Sequence, residues 1–344
     1  MENRTEKKLR VDLGPDSYEI MIGQGLLQKA GSHLDLNRKV LIVTDDGVPK
    51  EYADTVARQC REAVIETVAQ GEESKSLPVF SRLEETMLKN DFTRKDCVVA
   101  VGGGVVGDLA AFAAACYMRG IDFCNVPTTV LSQVDSSIGG ECAVNFAGVK
   151  NVLGAFYQPR QVVIDTDVLK TLPKRQVVNG IAEALKMAAT FSEDLFEKIA
   201  SVKSTEELFV LIGDAIDLKR KVVEEDEKEQ GLRKVLNFGH TLGHGIEVSS
   251  DGRLLHGESI ALGMLPMCDP SVAVRLLSAM KQLGFPLICN FDEKKAEEAI
   301  MHDKKGTGDG VTTVYVPKIG TYEFRERTFD ELRDDLGRLQ SIIG

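Results

Sequence analysis

The sequence is short of positive charge. Lysine and arginine total 42 against 53 aspartates and glutamates, a formal net charge of −11, and the sequence pI is near 5.1. A general nucleic-acid binder carries a basic surface, so no nucleic-acid partner is expected. A small anionic ligand still fits an acidic body if lysines converge on one pocket. No apolar run reaches the roughly 18 residues of a membrane span, so no membrane partner is expected either. The N-terminal "MENRTEKKLRVDLG" lacks an apolar core of signal-peptide length. The seven cysteines, Cys60, Cys97, Cys116, Cys124, Cys142, Cys268 and Cys289, are odd in number and never form Cys-x-x-Cys. They read as reduced core thiols of a cytoplasmic protein. Repeats and low-complexity segments are absent. Histidine is scarce, and three of the five, His240, His244 and His256, fall in one short stretch.

What is present is a globular composition, 43% hydrophobic and 28% charged, at a length that suggests about two domains. The first half alternates apolar runs with helical patterns. "KVLIVTDD" reads as a buried strand, "VPKEYADTVARQCREA" as a helix and "AVIETVAQGEESKS" as a strand and loop. "SLPVFSRLEETMLKN" follows as an amphipathic helix, "DCVVAVGGG" as a second buried strand and "GDLAAFAAACYMRG" as a helix of small residues. "DFCNVPTT" and "QVVIDTDVL" are two more strands. Continuous apolar strands between helices imply a mostly parallel sheet covered on both faces, a Rossmann-like α/β domain over residues 1–172. From Pro173 to about Val248 the periodicity is helical. "GVTTVYVPKIGTYEFRER" reads as a hairpin turning at Pro317 to Gly320. Residues 173–344 are therefore expected to form a mainly α-helical second domain with a small C-terminal hairpin.

Two motifs carry chemistry. "VVAVGGGVVGD" sets Gly102, Gly103, Gly104 and Gly107 between a strand and a helix. Glycines admit a phosphate close to the backbone, and a helix N-terminus offers it free N–H groups. The spacing departs from Gly-x-Gly-x-x-Gly, so a tight structural turn is the competing reading. Glu72 and Lys75 follow a strand where ribose or phosphate contacts are usual in open α/β sheets. Asp45, ending another strand, is a ribose candidate or the cap of the next helix. The second motif is "RKVLNFGHTLGH" with "LLHGES". His240 and His244 share a helical face, and His256 begins what reads as the next helix. Glu183 and Lys186 in "GIAEALKMA" also share a face. A catalytic zinc takes three ligands of these types and keeps a position open. Spacing leaves open which three residues bind.

The stretches "GEESKS", "GGGVVGDLAAFAAACYMRGIDFCNVPTTVLSQVDSSIGG", "KNVLGAFYQP", "GIAEALK", "GLRKVLNFGHTLGHGIE", "HGESIALGM" and "HDKKG" together resemble the 3-dehydroquinate synthases, among the sugar phosphate cyclases. The resemblance implies a dehydroquinate synthase-like fold, NAD+ as a catalytic cofactor and Zn2+, with Co2+ as an alternative ion. It implies Glu183, His240 and His256 as metal ligands. NAD contacts are implied at Asp45, Gln70 to Lys75 (with Glu72), Gly103, Gly104, Val105, Gly107, Asp108, Thr128, Thr129, Lys150 and the Val168 to Thr171 turn, including Leu169. Lys186, His244, Asp135, Asn151, Lys219, Arg233, Asn237 and Lys305 fall on substrate positions. Arg119 matches an arginine lent to a neighbouring subunit, which implies a homodimer.

The implied substrate is an anionic sugar phosphate, 3-deoxy-arabino-heptulosonate 7-phosphate. The implied course is NAD-dependent oxidation, phosphate elimination, re-reduction, ring opening and aldol closure to 3-dehydroquinate, a step of the shikimate pathway. Arg233 suits one anion bidentately, and the lysines supply point charges. Two departures stand out. "GGECAVN" puts Glu141 where the family has a lysine, and Val149 replaces a glycine. The stretch "ALGMLPMCDPSVAVRLLSAMKQLGFP", with Pro266 and Pro270, is shorter than the family's helices there. Glu141 keeps two alternatives in view, a related cyclase with another sugar phosphate and a catalytically silent homologue. A metal-dependent alcohol or glycerol-phosphate dehydrogenase shares the broad architecture but lacks "LNFGHTLGH" and the lysine set.

Overall fold

The computed structural model describes residues 6–288, 291–303 and 310–344. The chain forms two compact units. One comprises the chain up to Pro173 together with Lys219–Lys228, the other Lys174–Leu218 and Glu229–Gly344.

In the first unit the elements run β1 (Lys7–Val11), β2 (Tyr18–Gly23), β3 (Lys39–Asp45), α1 (Lys50–Ala57), β4 (Glu62–Val68), α2 (Leu77–Lys89), β5 (Cys97–Gly102), α3 (Gly104–Cys116), β6 (Asp122–Pro127), β7 (Glu141–Phe146), β8 (Val149–Phe156) and β9 (Gln161–Asp165). One sheet has the order β1-β2-β9-β6-β5-β3-β4. β1 is antiparallel to β2, and every other neighbouring pair is parallel. Val40 to Val43 and Cys97 to Val101 are wholly buried, because a central parallel strand is covered on both faces and so reads as an unbroken apolar run. β4 lies at an edge, where Glu62, Ile65 and Thr67 are exposed and only Val68 is buried. The helix expected across Val48 to Ala63 is shorter than its pattern. It ends at Ala57, because Glu62 already pairs with Lys39 in the β3–β4 ladder. From β4 the chain crosses back past β3 to form β5, so the strand order reverses between β3 and β5. Open α/β sheets bind ligands at the carboxyl ends of the strands beside such a reversal. β7 and β8 form a separate antiparallel hairpin, which the sequence reading did not anticipate.

In the second unit the elements are α4 (Lys174–Phe191), α5 (Glu193–Ala200), α6 (Thr205–Glu225), α7 (His240–Ser249), α8 (His256–Met264), α9 (Pro270–Leu283), α10 (Glu293–Asp303), β10 (Gly310–Tyr315), β11 (Glu323–Thr328) and α11 (Phe329–Ile343). The last residues of α6 group with the first unit. Pro266 lies in a 3-10 turn after α8, and Pro270 opens α9, where Asp269 accepts a bond from the Ser271 N–H at 2.9 Å. Proline is well tolerated at a first helical position. β10 and β11 pair antiparallel from Gly310↔Thr328 to Tyr315↔Glu323. Glycines let the helices meet backbone to backbone. A Cβ on Gly243 would lie 2.9 Å from Ile260 Cα, and one on Gly263 would lie 2.2 Å from Gly239 O, so α7 and α8 approach closely. A Cβ on Gly257 would lie 1.9 Å from Asn179 O, so α8 sits equally close to α4. No described helix is long and apolar enough to cross a membrane, and the described cysteines are free thiols. Cys289 lies outside the described residues.

Candidate functional site

Of the expected cofactor residues, Asp45, the glycine loop, Thr128 with Thr129, and the Val168 to Thr171 turn follow β3, β5, β6 and β9, while Glu72 and Lys75 follow β4 and Lys150 lies on β8. None of Gly102, Gly103, Gly104 and Gly107 has a positive φ. They are small because neighbours are near. A Cβ on Gly103 would lie 3.2 Å from Thr129 Cγ2, and one on Gly107 would lie 3.2 Å from Asn125 Nδ2. Close approach, rather than a special turn, is what this loop requires of glycine. No side chain caps α3 among the described residues, so its first N–H groups face the loop, with Val105 and Asp108 in the first turns. Asp45 Oδ1 accepts from the N–H groups of Gly47 at 2.8 Å and Val48 at 3.1 Å. It therefore shapes the turn into α1 while lying at the strand reversal. Burial raises its carboxyl above the usual range, and those two N–H bonds pull back.

Thr128 and Thr129 follow β6. The Thr129 hydroxyl lies 2.8 Å from Ser132 Oγ, and Gln133 Nε2 donates to Pro127 O and Asp165 O, tying the ends of β6 and β9 together. In the 3-10 turn of Thr166–Thr171, Leu169 is buried, and Thr171 Oγ1 lies 2.9 Å from the Tyr52 hydroxyl.

A polar network joins the loop after β4 to the hairpin. Lys75, itself buried, donates to Asp108 Oδ2 at 2.7 Å and to Asn151 Oδ1. Asn145 Oδ1 accepts from the Asn151 N–H at 2.9 Å, and Asn145 Nδ2 donates to Glu72 Oε1 at 2.8 Å. Asn151 holds a positive φ of 54°. Burial pushes the Asp108 carboxyl up to about 6; Lys75 opposes this, while Glu141 and Glu72 add to it. Asn145 was missed in the sequence, although it lies in the same "GGECAVN" that carries Glu141. Lys150 is exposed on β8.

Lys219 Nζ lies 2.7 Å from both Asp135 O and Asp135 Oδ1; both residues belong to the first unit. Arg119 is exposed in a turn where Met118, Arg119 and Gly120 have φ of 48°, 67° and 115°. Two non-glycine residues in the left-handed region are costly and persist only where the surroundings enforce them.

In the second unit the histidine cluster forms. α4 supplies Glu183 and Lys186, α7 supplies His240 and His244, and α8 begins with His256. Glu183 Oε1 lies 3.5 Å from His256 Nε2 and 3.9 Å from His240 Nε2. One ligand atom from each of Glu183, His240 and His256 falls within 4.8 Å of the others. The His244 ring centroid lies 5.1 Å from that of His240 and 5.8 Å from that of His256, beside this donor set and outside it.

Glu183 is fully buried, and neither of its oxygens makes a well-formed hydrogen bond among the described residues. A buried carboxylate without such bonds calls for a cation. Lys186 forms an ion pair with it. Burial alone raises the Glu183 carboxyl; the Lys186 ammonium and the imidazoles of His256 and His240 overcome it and hold it well below the usual range. Burial, with Lys186, keeps His240 well below the usual imidazole range. Burial also works against a charged His256, but Glu183 and Glu247 push it up to about 10. The position favours a positive charge, either imidazolium or a metal ion. Two imidazoles and one carboxylate match the ligand set of a catalytic zinc site.

Arg233 and Asn237 share the 3-10 turn of Leu232–Asn237, Arg233 buried and Asn237 exposed, with Asn237 Nδ2 donating to Glu229 Oε1 at 2.7 Å. Arg175 grips the buried Glu258 through two bonds of 2.7 Å, which joins α4 to the start of α8. Lys305 lies outside the described residues.

Two family models cover most of the chain. The 3-dehydroquinate synthase N-terminal model matches residues 65–179, and the 3-dehydroquinate synthase C-terminal model matches residues 180–306. A 3-dehydroquinate synthase of Enterococcus faecalis is 39% identical over 96% of this chain and 99% of its own length. One of Streptococcus sanguinis is 36% identical over the same shares. Among solved structures, a 2-deoxy-scyllo-inosose synthase complexed with carbaglucose-6-phosphate, NAD+ and Co2+ superposes with a TM-score of 0.87 at 26% identity, covering 96% of this chain and 99% of that one. With these models matching residues 65–306 and relatives 36–39% identical over nearly the whole chain, the chain belongs to the 3-dehydroquinate synthase family.

Proposed function

We propose that the protein is a phosphate-eliminating carbon–oxygen lyase that converts 3-deoxy-arabino-heptulosonate 7-phosphate to 3-dehydroquinate. The observation that carries this reading is the Glu183–His240–His256 set, built on the buried Glu183 with Lys186 beside it, in a chain of this family. The first unit holds NAD+ at the strand ends, and the second holds a divalent ion, zinc by its donor chemistry. When bound, NAD+ supplies a reversible hydride acceptor and the ion supplies Lewis acidity toward a substrate oxygen.

The chain's own residues do the rest. The α3 N-terminus and the Gly103–Gly104 approach bind the cofactor's phosphates. Asp45 and Glu72 accept hydrogen bonds from ribose hydroxyls, with Thr128, Thr129, Lys150, Leu169 and Thr171 completing the contacts. Lys186, whose ammonium is held by Glu183, orients a substrate hydroxyl, and His244, whose ring stands beside the donor set, faces the substrate. Arg233 binds an anionic group bidentately, and Asn237 supplies an amide contact. Lys219, fixed by Asp135, and Asn151 act as further positioning groups.

We further propose that the enzyme is a cytoplasmic homodimer. Supporting the dimer are the exposed Arg119 on its strained turn and the exposed apolar residues Phe146, Val149, Val152 and Phe156 of the hairpin.

Glu141 favours a second reading. Its negative charge acts on Asp108, where the family's lysine would act oppositely, so a related sugar phosphate or loss of turnover is the alternative. The deciding experiment supplies the zinc-loaded protein with 3-deoxy-arabino-heptulosonate 7-phosphate and sub-stoichiometric NAD+. Many phosphates released per NAD, with dehydroquinate formed, are expected. Retained zinc and NAD without turnover would transfer the case to the alternative.

A further inference from the structure

We infer that Glu247 is a positioning residue for His256, holding that imidazole so that its Nε2 is turned to the metal. The inference rests on the proposed metal site and adds to it Glu247, which closes the "GLRKVLNFGHTLGHGIE" stretch but carries no role from it. His240, His244 and Glu247 are spaced i, i+4 and i+7 on α7, so they line one face of the helix. α8 packs on that helix through glycines. A Cβ on Gly243 would meet Ile260 Cδ1 at 2.6 Å, and one on Gly239 would meet Ile260 O at 2.8 Å. The close approach brings the first residue of α8 over the far end of the α7 stripe. There His256 Nδ1 lies 2.8 Å from Glu247 Oε2.

A carboxylate only accepts hydrogen bonds, so Nδ1 carries the proton and donates it. Nε2 is left to face Glu183 Oε1 at 3.5 Å. The ring thus has one nitrogen assigned to an anion on α7 and the other to the donor set. Carboxylate–histidine–metal relays of this kind fix the tautomer and the ring plane and make the ligand nitrogen more basic. The other imidazole ligand is held differently. His240 Nδ1 lies 3.3 Å from the Phe238 carbonyl, a neutral and longer contact. The two histidines are therefore unequal ligands, and His256 is the one whose basicity depends on a charged neighbour. The Glu247 side chain is only 20% exposed, so bulk water screens this pairing weakly.

The test compares E247Q, E247D and H256A with the wild type. Each protein is stripped with a chelator and titrated with Zn2+ against a chromophoric competitor. E247Q is expected to bind zinc roughly 10- to 100-fold more weakly, with the thermal unfolding of the metal-free protein little changed. E247D, which keeps the charge, should recover most of the affinity. Wild-type affinity in E247Q, with zinc lost from H256A, would overturn the role of Glu247 and leave the metal site standing. Wild-type affinity in H256A would overturn both. A readout independent of any variant's folding is nitrogen-15 NMR of wild-type protein loaded with cadmium-113. Coupling of the metal to His256 Nε2, with a protected Nδ1 proton, is expected, and coupling to Nδ1 would refute the inference.

Discussion

Replacing Gly257 by alanine sets one methyl group against the backbone of a neighbouring helix. The new Cβ would lie 1.9 Å from Asn179 O and 2.9 Å from Ala182 Cβ. A close carbon–oxygen contact is roughly 3.3 Å, so α8 and α4 must part locally by about 1.4 Å on that figure. Neither obstacle is the flexible end of a side chain. The same residue donates its N–H to Asn179 Oδ1 at 2.7 Å, and that bond is strained by the same movement. Overpacking costs about 1–3 kcal/mol, and a weakened buried hydrogen bond adds about 1 kcal/mol. Alanine's better helix propensity returns at most about 1 kcal/mol. The net expectation is a loss of about 1–3 kcal/mol in urea unfolding of the chelator-treated protein.

The second consequence is chemical. His256 precedes Gly257 and Glu183 follows Ala182, so the movement separates two proposed ligands that stand 3.5 Å apart. Metal–ligand distances tolerate only about 0.2 Å. Zinc affinity should therefore fall by roughly tenfold or more, as for other disturbed ligand supports. The assay is competition with a chromophoric chelator. Stability within about 0.5 kcal/mol of wild type, the range of neutral surface changes, together with unchanged zinc affinity, would refute the close α4–α8 approach.

Gly337 offers the opposite case. It lies exposed within α11, where an added Cβ meets no atom within 4 Å, so Gly337→Ala should stabilise the protein by about 0.5–1 kcal/mol in the same unfolding assay. A loss of stability would argue against a helix there. Glu141→Lys turns one charge that raises the Asp108 carboxyl into one that lowers it. Asp108 should then titrate below about 6, as read by carbon-13 NMR of labelled aspartate. Because a cation then faces anionic ligands, NAD+ or the phosphate substrate should bind more tightly by calorimetry. An unmoved Asp108 titration, with unchanged or weaker affinity for both ligands, would count against an anion-anchoring role at this position.

Central strands were readable because burial on both faces leaves them continuously apolar, as in Val40 to Val43 and Cys97 to Val101. The β7–β8 hairpin escaped for the converse reason. Most of β8 is exposed, so nothing imposes a pattern on "VKNVLGAF", and only tertiary docking assigns it. Asn145 is informative only after the hairpin is laid against the loop of Glu72 and Lys75. Glu247 was accessible in principle, since it continues the His240 and His244 stripe by a further turn. Its meaning depended on α8 bringing His256 to it.

The sequence by itself determined which residues are equipped for metal, phosphate and carboxylate chemistry, because those capacities belong to side chains. It also determined the alternation that makes a parallel sheet and the glycines that allow close approach. Spacing left the ligand choice open and the resemblance implied Glu183, His240 and His256; only the tertiary structure brings ligand atoms of those three within 4.8 Å of one another, with the His244 ring beside them. That arrangement is made by three helices meeting at Gly239, Gly243, Gly257 and Gly263, and contacts between residues tens of positions apart are set by packing rather than by spacing along the chain.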